Sequence, residues 1–194
     1  MTKTRPKWTF FLRSLASTID QALLSGLNFA VGIALIRLAT KEAYGFYTLL
    51  FAGGTLVTTL LDALLGAALM TLAARMNDAE RVPFVSRVAR LQWAAATIAA
   101  LLLGVVAAFG ARENGLDENA LLVGLVFALY IVALGAREYC RTALFIEARP
   151  LDVLRIDVIF AASTAVLALG LYLWESGISV TEAISILAAA NGLA

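Results

Sequence analysis

The residues of this chain best suited to chemistry stand among apolar neighbours. Asp20 and Gln21 interrupt the run from Leu15 to Leu38, Asp62 sits in the run that ends near Ala74, and Arg137 and Arg141 follow the stretch Asn119–Ala136. In an apolar surrounding an ionisable or amide side chain is expensive unless it faces a partner or water, so each such residue marks a cavity, a proton or cation path, or a buried contact. At about 100° per residue, Gln21, Ser25 and Asn28 fall with Asp20 on one half of a helix whose other half is Leu, Ile, Val, Phe and Ala. Thr55, Thr58 and Asp62 form a second stripe by the same count, and Tyr130, Arg137, Glu138 and Arg141 a third. Arg137 and Arg141 are one helical turn apart and can converge on one anion, and a planar guanidinium pairs well with phosphate.

The stripes have two readings that the residues leave open. Small and hydroxyl residues also let membrane helices approach closely, so Ser25, Thr55 and Thr58 fit a packing face as well as a cavity wall. Asp20 and Gln21, one turn inside their span, favour a water-filled cavity or a proton or cation role. Asp62 and Asp157 are expected nearer an interface, paired with Arg75, Arg155 or a neighbouring arginine. Arg149 and Arg155 flank Pro150 and read as topology anchors. The chain has no histidine and a single cysteine, Cys140, which removes His-based zinc sites, Ser-His-Asp triads and an internal disulfide. No Gly-rich phosphate loop, CxxC or HExxH pattern occurs, so no enzymatic activity and no cofactor are expected.

The elements that must position these residues follow from composition. Hydrophobic residues make up 61% of the 194 positions and charged residues 15%, against roughly 45–50% and about 25% in soluble domains. About 20 apolar residues cross a bilayer core, and such segments recur. The pattern predicts an all-α polytopic transmembrane bundle: a basic arm over 1–14, then spans over about 15–38, 44–74, 84–110, 119–136 and 151–174, and a partial sixth over 178–194. The second is too long for one straight helix, so a tilt or break is expected near Gly66. The fourth should continue as an amphipathic extension to Ala148.

Lysine and arginine alternate between the two ends of these spans. Lys3, Arg5, Lys7 and Arg13, then Arg75, Arg81, Arg87 and Arg90, then Arg137, Arg141, Arg149 and Arg155 belong to one side, twelve in all, against Arg37, Lys41 and Arg112 on the other. The positive-inside rule puts the amino terminus in the cytoplasm. The net charge of +1 gives no reason to expect nucleic acid as a partner.

The first span, Asp20-Gln21-Ala22-Leu23-Leu24-Ser25-Gly26-Leu27-Asn28-Phe29, leads into Ile36-Arg37-Leu38-Ala39-Thr40-Lys41-Glu42-Ala43-Tyr44-Gly45. Together they resemble the start of bacterial polysaccharide-biosynthesis membrane proteins, the O-antigen-type flippases of the multidrug/oligosaccharidyl-lipid/polysaccharide exporter superfamily. Thr40-Lys41 stands where that family usually has Gly-Pro. Arg137-Glu138-Tyr139-Cys140-Arg141 and Ala148-Arg149-Pro150-Leu151 are similar to the family's segment between its fourth and fifth spans. The resemblance implies two six-helix bundles around a central cavity, with this chain as the first bundle or a truncated form. It implies alternating access in the bacterial inner membrane, with an undecaprenyl-pyrophosphate-linked oligosaccharide as cargo. Glycan polymerase and ligase components are further candidate partners. Cavity-lining candidates are Asp20, Gln21, Ser25, Asn28, Thr55, Thr58, Asp62, Arg137 and Arg141. The competing expectations are a cation-coupled multidrug exporter with Asp20 as coupling carboxylate, and a non-transporting scaffold for polysaccharide enzymes.

Overall fold

The computed structural model describes residues 7–73, 75–115, 119–174 and 179–194. Within them every regular element is a helix. Residues 1–6 of the basic arm, Ala74 at the end of the second expected span, residues 116–118 of a polar loop, and Ile178 at the start of the sixth lie outside the described residues.

Helix α1 (Lys7–Leu38) begins inside the expected arm and runs through the first span. Helix α2 (Lys41–Leu61) starts at Thr40, whose hydroxyl accepts from the Ala43 amide at 3.2 Å, with Glu42 in the first turn. This satisfies one orphan amide and complements the helix dipole. The interruption expected near Gly66 is a π-helical turn, Asp62–Gly66, followed by α3 (Ala67–Ala73). Together these pieces form one apolar span of 33 residues. Gly66 leaves room there for the Asp62 carboxylate, which a Cβ would push aside.

Helix α4 (Asp78–Glu113) corrects the sequence reading, which began this span at Phe84 beyond a loop ending at Pro83. The Asn77 side chain caps the helix by accepting from the Glu80 amide at 3.0 Å, and Pro83 lies inside the helix near its start. Proline lacks the N–H that the ladder would use, but the cap and the long apolar run behind it outweigh that one missing bond. Helix α5 (Ala120–Ile146) closes with paired bonds from the Ala148 amide to Phe145 and from the Arg149 amide to Leu144. That closure needs a left-handed residue, and Ala148 takes it with φ of 56°. Pro150 then opens α6 (Pro150–Trp174), where its fixed φ suits a first helical position. Helix α7 (Val180–Leu193) is nucleated by a reciprocal Ser179–Glu182 capping box.

Helix α5 is the most buried span and the centre of the bundle. It packs most extensively on α4, then on α7, and also meets α2 and α6. Small residues permit the α4–α5 approach: Ala96, Ala100, Ala107 and Ala111 are buried, and a Cβ on Gly104 would sit 2.8 Å from the Gly124 carbonyl oxygen. Helix α1 packs against α6 and barely touches α2, its neighbour in sequence.

The outer surface is apolar. Leu121, Leu173 and Phe29 are 82%, 75% and 71% exposed, while Asp20, Gln92, Arg137, Asp157, Thr164 and Asn191 are buried. A water-soluble protein arranges these classes the other way round. Five helices are long and apolar enough to cross a membrane, and the chain is a multi-pass membrane protein whose outer face meets the lipid bilayer.

Candidate functional site

Two arginines on α5 organise the polar interior. Their spacing puts both on the face of α5 that meets α1, α6 and α7. The Arg137 Nε and Nη2 donate to Asp157 Oδ1 of α6 at 3.1 and 2.7 Å. Its Nη1 donates to Asn191 Oδ1 of α7 at 2.9 Å, and the Asn191 amide is anchored on the Leu187 carbonyl at 2.7 Å. The guanidinium also lies over the Phe160 ring, 3.8 Å from its centroid, in cation–π contact.

Arg141, one turn further on, holds three carboxylates. Its Nη1 donates to Glu138 Oε2 at 2.7 Å and its Nη2 to Asp20 Oδ2 of α1 at 3.1 Å. Its Nε lies 2.9 Å from Asp157 Oδ2 as an ion pair, outside hydrogen-bonding geometry. The two guanidiniums therefore converge on one anion, and that anion is the chain's own Asp157, whose side chain is fully buried.

Three carboxylates (Asp20, Glu138, Asp157) face two guanidiniums (Arg137, Arg141), an excess of one negative charge when all are ionised. Asp20 Oδ1 is buried with no hydrogen-bond partner. Moving an ion out of water costs several kcal/mol even when it is paired. A network of this size inside membrane spans, partly unsatisfied, marks a candidate functional site.

The network opens into a cavity of about 170 Å³, lined among others by Asn28 of α1, Thr55 and Thr58 of α2, Arg137 of α5, Phe160 of α6 and Asn191 of α7. Of the residues singled out from sequence, Asn28, Thr55, Thr58 and Arg137 thus share one cavity, and Asp20 and Arg141 lie in the network joined to it through Asp157. The two threonine hydroxyls donate to their own helix, Thr55 to Phe51 at 2.9 Å and Thr58 to Gly54 at 3.2 Å, so towards the cavity they offer lone pairs. Gln21 and Ser25 are exposed and stand apart from that lining.

Asp62 does not form the expected pair with Arg75 or Arg155. It is exposed beside a second recess, and Arg155 instead donates to Asp152 at 2.8 Å. Asp62 lines that recess together with Val88 and Gln92 of α4 and Glu138 of α5, and not the α5–α6 connection that bears the basic residues. At that connection Arg149 bonds Asp152 and Glu147, which raises its pKa above the usual arginine value and keeps it charged.

Sequence reasoning set Asp157 near an interface and passed over Asn191 and Gln92. Two of them have a signal in the chain: Asp157 is two turns inside an apolar helix that begins at Pro150, and Gln92 is the amide in the otherwise apolar run Leu91–Ala111. No protein-family model, curated protein or solved structure matches this chain.

Proposed function

We propose that this chain forms the passage-lining bundle of a membrane transporter that moves a lipid-linked oligosaccharide from the cytoplasmic to the opposite leaflet by alternating access. The observation that carries the reading is the Asp20–Arg141–Asp157–Arg137–Asn191 network opening on a polar cavity within the bundle. A membrane protein that only packs and anchors has no use for five costly groups there. The order of the Asp-Gln, Tyr-Gly and Arg-Glu-Tyr-Cys-Arg segments, which resembles polysaccharide flippases, supports the choice of cargo.

In this mechanism the cargo's pyrophosphate competes with Asp157. Every nitrogen of the Arg137 guanidinium already has a partner: Nε and Nη2 serve Asp157 and Nη1 serves Asn191. These bonds use three of its five N–H donors, and a phosphate oxygen gains the Nε–Nη2 fork only when Asp157 releases it. Release would loosen α6 from α5, so cargo binding biases the packing of the bundle. Sugar hydroxyls would meet the amide of Asn28 and the oxygens of Thr55 and Thr58.

The excess carboxylate favours a second reading, a cation-coupled multidrug exporter with Asp20 as the coupling group. Export of surface glycan by cells carrying the native full-length protein separates the two. Asp20→Asn and Arg137→Met are expected to abolish glycan export per unit of protein in the membrane. Normal glycan export with lost drug resistance would support the exporter instead.

A further inference from the structure

A second polar recess adjoins the cavity, sharing Thr58 and Glu138 with it, and lies between the π turn, α4 and α5. It is lined among others by Thr58, Asp62, Gly66, Gln92, Glu138 and Thr142, and its free volume of about 20 Å³ is the size of one water molecule or one small ion. Three features point to a ligand there. Gln92 is 7% exposed and, among the described residues, its amide has no hydrogen-bond partner. The amide is therefore free to meet a ligand in the recess that it lines. Asp62 has no cation beside it among the described residues, although it belongs to a membrane span. The backbone leaves room for that carboxylate: Asp62 opens the π turn, and the missing Cβ of Gly66 leaves the space the carboxylate occupies. Single π turns inside helices recur at functional sites.

We propose that this recess binds a monovalent alkali cation, held by the Asp62 carboxylate, the Gln92 amide oxygen and Glu138, with Thr58 and Thr142 as hydroxyl donors of oxygen. Carboxylate, amide and hydroxyl oxygens are hard ligands, suited to alkali and alkaline-earth ions more than to transition metals. The described residues hold no cluster of three or more His, Cys, Asp or Glu side chains able to grip a metal ion. The local charge asks for a cation. Asp20, Asp62, Glu138 and Asp157 face only Arg137 and Arg141, a deficit of two positive charges when all are ionised. One monovalent ion halves it. Glu138 joins the two sites: its Oε2 receives Arg141 at 2.7 Å while the residue also lines the recess. A cation drawing on Glu138 weakens its hold on Arg141 and so is felt at Asp20 and Asp157. The binding itself does not depend on what the protein carries.

The test is binding of radioactive sodium to the purified full-length protein in neutral detergent, with competition by unlabelled sodium, potassium and choline chloride. Wild type is expected to bind saturably, with choline ineffective, and the better competitor of sodium and potassium identifies the ion held. Asp62→Asn and Gln92→Leu should each weaken binding about tenfold or more. Gly66→Ala should do the same without removing a ligand, because its methyl displaces the Asp62 carboxylate. Asp152→Asn, which neutralises a half-buried carboxylate at the α5–α6 connection, should leave binding unchanged. Size-exclusion profiles confirm that each variant is folded. Absence of saturable sodium or potassium binding in wild type, or unchanged affinity in both Asp62→Asn and Gly66→Ala, would overturn the proposal.

Discussion

Asp157 is the anion on which both α5 arginines close, so the two guanidiniums depend on it and it on them. Removing one partner of a buried pair leaves an uncompensated charge, a loss of about 3–5 kcal/mol. Arg137→Met should therefore lower thermal stability sharply in detergent. Arg137→Met combined with Asp157→Leu should recover most of the loss, because an apolar pair of similar volume has no charge to desolvate. A double variant as unstable as the single one would mean that Asn191 and Phe160, not Asp157, are what Arg137 supports. Arg141 and Arg149 make a sharper functional contrast. Arg141→Lys keeps the charge but cannot span Asp20, Glu138 and Asp157 at once, since lysine has a point charge in place of a planar fork. It should lower glycan export several-fold at equal membrane abundance. Arg149→Lys, on an exposed connection, should leave export unchanged. Equal export from the two variants would make Arg141 a structural residue.

At the scale of elements, α4 and α5 lock through glycine backbones in near contact. Gly124→Ala drives a methyl into the Gly104 carbonyl and Ala108, neither of which is a flexible side chain. It should destabilise by about 1–3 kcal/mol, the usual range for overpacking. Gly26→Ala and Gly32→Ala meet nothing within 4 Å and should be neutral or slightly stabilising. Unfolding temperatures of the three variants decide this, and equal values would contradict the close packing. Much of each helix was legible in the sequence, because side-chain angle and span length are local properties. The stripe of Arg137, Glu138 and Arg141, the break near Gly66 and the stop at Pro150 all follow from spacing within one segment. Which helices become neighbours is not local. Asp20 meets Arg141 across 121 residues because α1 packs on α6 and not on α2, and nothing in either segment alone encodes that choice. For the same reason Asp62, expected beside a basic loop, instead faces Gln92 and Glu138.

For the whole molecule, the twelve-to-three distribution of basic residues predicts orientation. Reporter tags at the amino terminus and within 77–81 should read cytoplasm, and a tag within 113–118 the opposite side. A cytoplasmic signal from 113–118 would reverse the assignment of cargo entry. We propose that the buried charge network serves translocation. Its most direct test is a leaflet assay with the native full-length protein in proteoliposomes containing an undecaprenyl-pyrophosphate-linked oligosaccharide, scoring how much glycan remains accessible from outside over time. Wild type should move the glycan between leaflets, and Arg137→Met and Asp20→Asn, at matched protein content, should slow it at least about tenfold, as expected when a group acting in the rate-limiting state is lost. Movement no faster than in protein-free vesicles, or equal rates in wild type and both variants, would contradict it.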